Sequence, residues 1–125
     1  MSAGWQRKSV VRFNIATSAW INLPDLNESR AYHASVALGD YVYVLCGYNE
    51  NKFHKTLERL DVTWMDATFP KVMSSIFDYW EVINVPIHPR WQPVAAAISS
   101  HEIAIMGGCQ QGGDASDKIV FDSKI

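Results

Sequence analysis

Two arginines sixty positions apart, Arg30 and Arg90, are the residues whose type and spacing speak most directly to chemistry. A guanidinium presents a planar fork that takes a carboxylate through two parallel hydrogen bonds. Such a residue either grips acidic groups on a partner or pairs with an acidic neighbour of its own chain, here Asp25 or Glu28. The other reactive side chains show no comparable order. His33, His54, His88 and His101 recur at no common spacing and fall where the repeat described below puts loops and strand edges. Ser29, Ser35, Ser99 and Ser100 lie in no Gly-x-Ser-x-Gly elbow, and Gly107-Gly108 with Gly112-Gly113 match neither a P-loop nor a dinucleotide fingerprint. There is no CxxC and no His/Cys cluster at ligand spacing, so neither a metal nor a cofactor is expected.

The elements that carry the arginines are written twice. RAYHASVALGDYVYVLCGY, from Arg30, reappears as RWQPVAAAISSHEIAIMGG, from Arg90, at a gapless offset of sixty that aligns Tyr43 with Ile103, Leu45 with Ile105 and Gly47 with Gly107. Ten residues before each arginine stands a tryptophan, Trp20 and Trp80. In both copies an apolar run (34–38, 94–98) meets a turn (Gly39-Asp40, Ser99-Ser100-His101), then a second apolar run (41–46, 103–106) that stops at glycine. Short runs rich in Val, Ile and Tyr around such turns predict tight antiparallel hairpins. The near-continuous apolarity of Tyr-Val-Tyr-Val-Leu-Cys predicts a strand covered on both faces. On this alignment Cys46 and Cys109 close equivalent strands of neighbouring units, farther apart than the ~7 Å Cα separation a disulfide tolerates, and both are expected to be reduced.

Third strands are expected to end at Asn14, Asp61 and Asp122, where an Asx side chain folds back on the backbone and starts a turn. Fourth strands then begin at Trp20 and Trp80 and stop at Pro24 and Pro86. Each large ring is expected to wedge between units. Nineteen positions separate Asp61 from Trp80, against six between Asn14 and Trp20, so thirteen residues are extra. Within this insertion, 63–79, apolar residues from Phe69 recur at helical spacing (Phe69, Val72, Met73, Ile76, Phe77, and on to Trp80), with Thr68 as N-cap and Pro70 in the first turn. The readings are a short helix or irregular loop on its own unit, a partner-docking stripe, or a shifted register in which Trp64 is the tryptophan of the repeat.

Four short strands per unit, glycine after the second, aspartate after the third, tryptophan about six further on and arginine opening the next unit: this pattern resembles the kelch repeat over roughly residues 8–125. Each kelch unit is one blade of a β-propeller. Against the family pattern, Gly47-Tyr48 stands in place of Gly-Gly, and Leu60 replaces the aromatic that Phe121 supplies in the next copy. The fold class implied is all-β: a partial kelch-type β-propeller of about two to three four-stranded antiparallel blades, with a short helix in the insertion as an option. Residues 8–24 would end one blade, 30–86 form a complete blade carrying the insertion, and 90–125 begin an incomplete one. Closed propellers hold about four to eight blades. The expectation is therefore a segment of a longer propeller, a truncated product, or a chain that self-associates.

The resemblance implies a function in binding. Loops between second and third strands (48–55, 109–117) and those entering first strands (25–32, 87–91) would open on one face of the disc, where recognition concentrates. Arginines placed like Arg30 and Arg90 grip carboxylates in kelch domains that bind acidic peptides. The residues implied for partner binding are Arg30, Tyr48, Asn49, Arg90 and Gln110, with Gln110-Gln-Gly-Gly-Asp read as a flexible loop. A non-catalytic scaffold or adaptor for a protein or peptide is the leading expectation; a non-catalytic portion of a larger propeller enzyme, or a truncated product without independent function, is the alternative. With 125 residues, 48% hydrophobic, 19% charged and a net charge of −2, composition suits an ordinary globular chain and gives no electrostatic reason for a nucleic acid or anionic membrane partner. MSAGWQRKS lacks a signal-peptide core and no apolar run nears the roughly 18–20 residues of a membrane span. A cytoplasmic setting is expected.

Overall fold

The computed structural model describes residues 8–49, 52–54, 56–63, 79–84, 90, 92–110, 113–114 and 118–123. Among them every regular element is a strand. The first two, β1 (Val10–Asn14) and β2 (Ala19–Leu23), form an antiparallel hairpin. Asn14 Oδ1 accepts from the amides of Ala16 and Thr17 at 2.9 and 3.3 Å, the local turn expected of an Asx residue there.

A four-stranded antiparallel sheet follows, in the order β3 (Ala34–Leu38), β4 (Tyr41–Leu45), β7 (Thr56–Asp61), β8 (Glu81–Asn84). A three-stranded sheet repeats the plan with β9 (Val94–Ala97), β10 (Glu102–Met106) and β13 (Lys118–Asp122). Two short ladders rise from the ends of the second strands: β5 (Tyr48–Asn49) with β6 (Lys52–Phe53), and β11 (Cys109–Gln110) with β12 (Gly113–Asp114). Of Gln110-Gln-Gly-Gly-Asp, read from sequence as a flexible loop, the described residues Gln110, Gly113 and Asp114 lie in the second of these ladders. Asp61 Oδ1 accepts from the Thr63 amide at 2.9 Å, closing the third strand as Asn14 does. The helix expected from Phe69 lies outside the described residues, except that Trp80, its last apolar position, immediately precedes β8. Trp80 is therefore the tryptophan of the unit.

The sheets stack face to face. The forward face of the four-stranded sheet (Tyr43, Leu45, Leu57, with Val36, Leu38 and Ile83) packs on the rear face of the three-stranded sheet (Ile103, Ile105, with Ala95 and Phe121). Its own rear face (Val44, Leu60, Trp80) packs with Leu26 on the forward face of the β1–β2 hairpin (Val10, Leu23). Each fully buried side chain of this size contributes about 1.5–3 kcal/mol. The partly exposed Arg59–Glu81 pair, at 2.8 Å, contributes about 0–1 kcal/mol. That pair links β7 to β8 within one sheet, whereas apolar stacking joins one sheet to the next.

The offset of sixty does not hold throughout. First strands keep it: the positive φ of Tyr32 (55°) recurs at Gln92 (59°). Beyond the turn the offset is sixty-one. Positive φ values at Cys46 and Gly47 (59°, 101°) recur at Gly107 and Gly108 (64°, 88°), and the bond from Val62 N to Asp40 O recurs from Ser123 N to His101 O. The longer turn Ser99–His101 inserts the extra residue. Tyr43 therefore corresponds to Ala104 and Leu45 to Met106, while Ile103 and Ile105 correspond to Val42 and Val44. Because side chains alternate across a strand, one residue of slip exchanges the faces, and this exchange lets Ile103 and Ile105 meet Tyr43 and Leu45 across one interface. The Gly-Gly of the second copy is matched by Cys46-Gly47, not Gly47-Tyr48.

The two tryptophans part company. Trp80 is 5% exposed and its Nε1 donates to Pro24 O at 2.8 Å, wedged as expected. Trp20 is 69% exposed, resting on Phe13 with ring centroids 4.7 Å apart. The expectation that both rings wedge between units fails for Trp20, because no described residue packs over the outer face of β1–β2.

Candidate functional site: the loop face and its buried arginines

The ends of the second strands and the segments entering the first strands come together on one side of the sheets. Ala31 and Tyr48 exchange backbone hydrogen bonds at 3.0 and 2.9 Å. Gly47 N donates to Arg90 O at 2.9 Å, Arg90 N to His54 O at 3.3 Å, His54 N to Gly47 O at 2.8 Å, and Gln92 N to Tyr32 O. The backbone of one unit is thereby stitched to the entry of the next, and the β5–β6 ladder stands on the stitch.

Gly47 is fixed by this crossing. Its φ is +101°, and a Cβ there would lie 3.0 Å from Ala31 O and 3.1 Å from His33 Cβ. Only glycine permits that approach in that conformation. Gly107, by contrast, has φ +64° and open space where a Cβ would go, which is why its counterpart in the first unit can be Cys46.

Arg30 and Arg90 lie beneath this face, not at its mouth: they are 2% and 0% exposed. Arg30 Nη1 donates to Cys46 O at 2.7 Å and Thr56 O at 3.0 Å; Nη2 donates to Thr56 Oγ1 at 2.9 Å, Glu58 Oε2 at 3.2 Å and Glu28 Oε1 at 3.4 Å. Arg90 Nη1 donates to Gly107 O at 3.2 Å, the counterpart of Cys46 O. The positive φ of Cys46 and Gly107 marks a sharp exit from the strand, and in each unit a guanidinium satisfies the exiting carbonyl. A carboxylate on a partner cannot reach either fork without displacing these bonds. Of the two acidic neighbours considered from sequence, Glu28 is bonded to Arg30.

Sequence reasoning missed Glu58. It is fully buried, and its carboxylate accepts from Asn27 N (2.7 Å), Asn27 Nδ2 (3.0 Å), Glu28 N (3.0 Å) and Arg30 Nη2. Burying a carboxylate is tolerable only with this degree of pairing. The signal in the sequence was a charge between Thr56 and Leu60 on the rear-facing positions of TLERLD. His54, expected in a loop or at an edge, is 2% exposed. Its Nε2 donates to Ser29 O at 3.1 Å and its Nδ1 lies 3.4 Å from Glu28 Oε2. Glu58 ties the 27–30 entry segment to β7, and His54 ties it to the segment that leads into β7. His33 beside them has its pKa lowered, by burial first and by the Arg30 guanidinium second.

Of the remaining residues singled out from sequence, Tyr48 and Asn49 are half-buried on the β5 strand of the first ladder, and Gln110 holds the equivalent strand of the second, paired with Gly113. The five candidates therefore divide: Tyr48, Asn49 and Gln110 belong to the projecting ladders, while Arg30 and Arg90 belong to the frame below. Among the described residues, no three His, Cys, Asp or Glu side chains gather where they could hold a metal ion, and no helix is long and apolar enough to cross a membrane. Neither Cys46 nor Cys109 is in a disulfide.

A family model described as Kelch motif matches residues 29–65. That span opens just before Arg30 and carries β3, β4, the β5–β6 ladder and β7. The three-stranded sheet repeats the buried arginine, the strand exit at positive φ and the short ladder. The motif match and the antiparallel units that embody it identify residues 29–65 as a kelch motif, whose plan the three-stranded sheet repeats.

Proposed function

We propose that the chain is a protein-interaction module that binds a partner protein or peptide through its loop face, without turnover, as a scaffold or adaptor in an intracellular setting. The observation that carries this reading is the pair of ladders, 48–53 and 109–114, held at equivalent places on two units. Recognition residues gain affinity when their backbone is ordered before binding, and here the ladders grow out of strands anchored by buried guanidiniums. Tyr48, Asn49 and Gln110 are the contact residues of the proposal. Arg30 and Arg90 act through the backbone they hold, as positioning residues.

Selection of a displayed peptide library on the purified chain tests this. Selected peptides are expected to lose at least tenfold in affinity to a Tyr48→Ala, Asn49→Ala double variant and to a Gln110→Ala variant. They are expected to bind normally to Val82→Ala, whose side chain is exposed on β8. No enrichment, or binding indifferent to all three ladder residues, would overturn the reading.

A further inference from the structure

Among the described residues two sheet faces are left uncovered, and each is the repeat counterpart of a face buried elsewhere in the same chain. The first is the rear face of β1–β2, where Val11 is 53%, Phe13 44% and Trp20 69% exposed. Phe13 corresponds to Phe121, which packs edge-on against Tyr43 at 6.0 Å, and Trp20 corresponds to the wedged Trp80. The second is the forward face of the three-stranded sheet, where Val94 is 61%, Ile98 56% and Val120 51% exposed around Ala96 and Ala104. It corresponds to the face on which Tyr43 and Leu45 are buried. Contiguous apolar surface of this kind marks a contact surface.

We propose that the chain associates head to tail with a second copy of itself, the forward face of its three-stranded sheet receiving the rear face of the next copy's β1–β2 hairpin. The chain's own interior supplies the pattern, since forward-on-rear stacking already joins its three sheets in succession. Volumes also match. Inside the chain the large Tyr43 sits on the forward side; at the open end that position is Ala104, beside Ala96. The bulk stands on the other surface, as the stacked pair Phe13 and Trp20. A second copy is the occupant because this one chain presents both halves of the interface. The contact is heterologous, so each added copy offers a fresh face, and assembly runs on to a ring or an open chain according to whether the rotation closes. It uses sheet faces and is independent of the loop-face reading.

Sedimentation velocity over a hundredfold range of concentration tests the proposal with three samples: the unaltered chain, Trp20→Glu and Val120→Glu. The unaltered chain is expected to grow in size with concentration, and each variant alone to associate at least tenfold more weakly. Mixed in equal amounts the two variants are expected to give a 1:1 dimer and nothing larger, because each keeps one intact face and the two intact faces are complementary. Circular dichroism checks that each variant folds; Val11→Glu and Val94→Glu replace any that does not. A chain that stays monomeric throughout, a mixture that stays monomeric, or association unchanged in both variants would overturn the proposal and assign these faces to a different protein.

Discussion

The Arg30 guanidinium and the Glu58 carboxylate meet at 3.2 Å with both side chains wholly out of solvent. One comes from the entry to the first strand and the other from the third, so the pair fixes the loop that carries the start of one unit to the strand that nearly ends it. Removing one partner of a buried pair strands the other charge. Glu58→Ala is expected to destabilise the chain by about 3 kcal/mol or more, read as the shift of the urea midpoint. Arg30→Lys is expected not to substitute for arginine, because one ammonium cannot reach Cys46 O, Thr56 O, Thr56 Oγ1 and two carboxylates together. A lysine variant as stable as the parent would show that the fork is dispensable.

The two strand-exit glycines separate conformation from space. Gly107→Ala places a Cβ in open space at a left-handed φ and is expected to cost about 1–2 kcal/mol. Gly47→Ala adds a collision with the Ala31 carbonyl and the His33 side chain, and its midpoint shift is expected to be at least twice as large. Equal shifts would mean that the crossing at Gly47 relaxes freely.

The tryptophans give an internal control. Trp80→Ala empties a site beside Leu26, Val44 and Leu60 and leaves Pro24 O without its donor; the expected loss is about 3–5 kcal/mol. Trp20→Ala, measured in the dilute chain, is expected to fall near the roughly ±0.5 kcal/mol of surface changes. Comparable losses at the two positions would contradict the difference in burial.

Cys46 supplies the pH dependence. Burial pushes its thiol up to about 11, with Arg90 and Arg30 pulling the other way. The folded chain then holds the proton more tightly than the unfolded chain, so this stabilisation is present below pH 9 and is lost as pH rises towards about 11. The slope is at most about 1.4 kcal/mol per pH unit. Cys46→Ala is expected to flatten the alkaline limb of stability against pH. Thiol reagents at pH 8 are expected to modify Cys109 in the folded chain and Cys46 only after unfolding; two thiols modified at one rate would refute this.

Much of the architecture was legible because strand patterning is local. The alternating and continuous apolar runs marked the strands, the Asx residues marked where third strands end, and Trp80 fell one residue before β8. The exchange of faces between Tyr43 and Ala104 was not legible, since one residue inserted in the turn at Ser99–His101 leaves composition and rough spacing untouched. The candidate site divided the same way. Tyr48, Asn49 and Gln110 were placed in the loops between second and third strands by the resemblance to the kelch repeat. The inward turn of Arg30 and Arg90 depends on carbonyls sixteen and seventeen residues away that exist as acceptors only where the strand exits at positive φ.

By itself the sequence determined the repeat: which residues form strands, where turns interrupt them, and which family the pattern resembles, because hydrophobic periodicity and turn chemistry act over a few neighbouring residues. Only the tertiary structure decided which of two like tryptophans is covered, which face each strand turns to its neighbour, and that Glu58 is the buried partner of Arg30. Those outcomes depend on what lies across the interface, and burial and charge pairing are set by contacts between segments that the order of residues along the chain does not record.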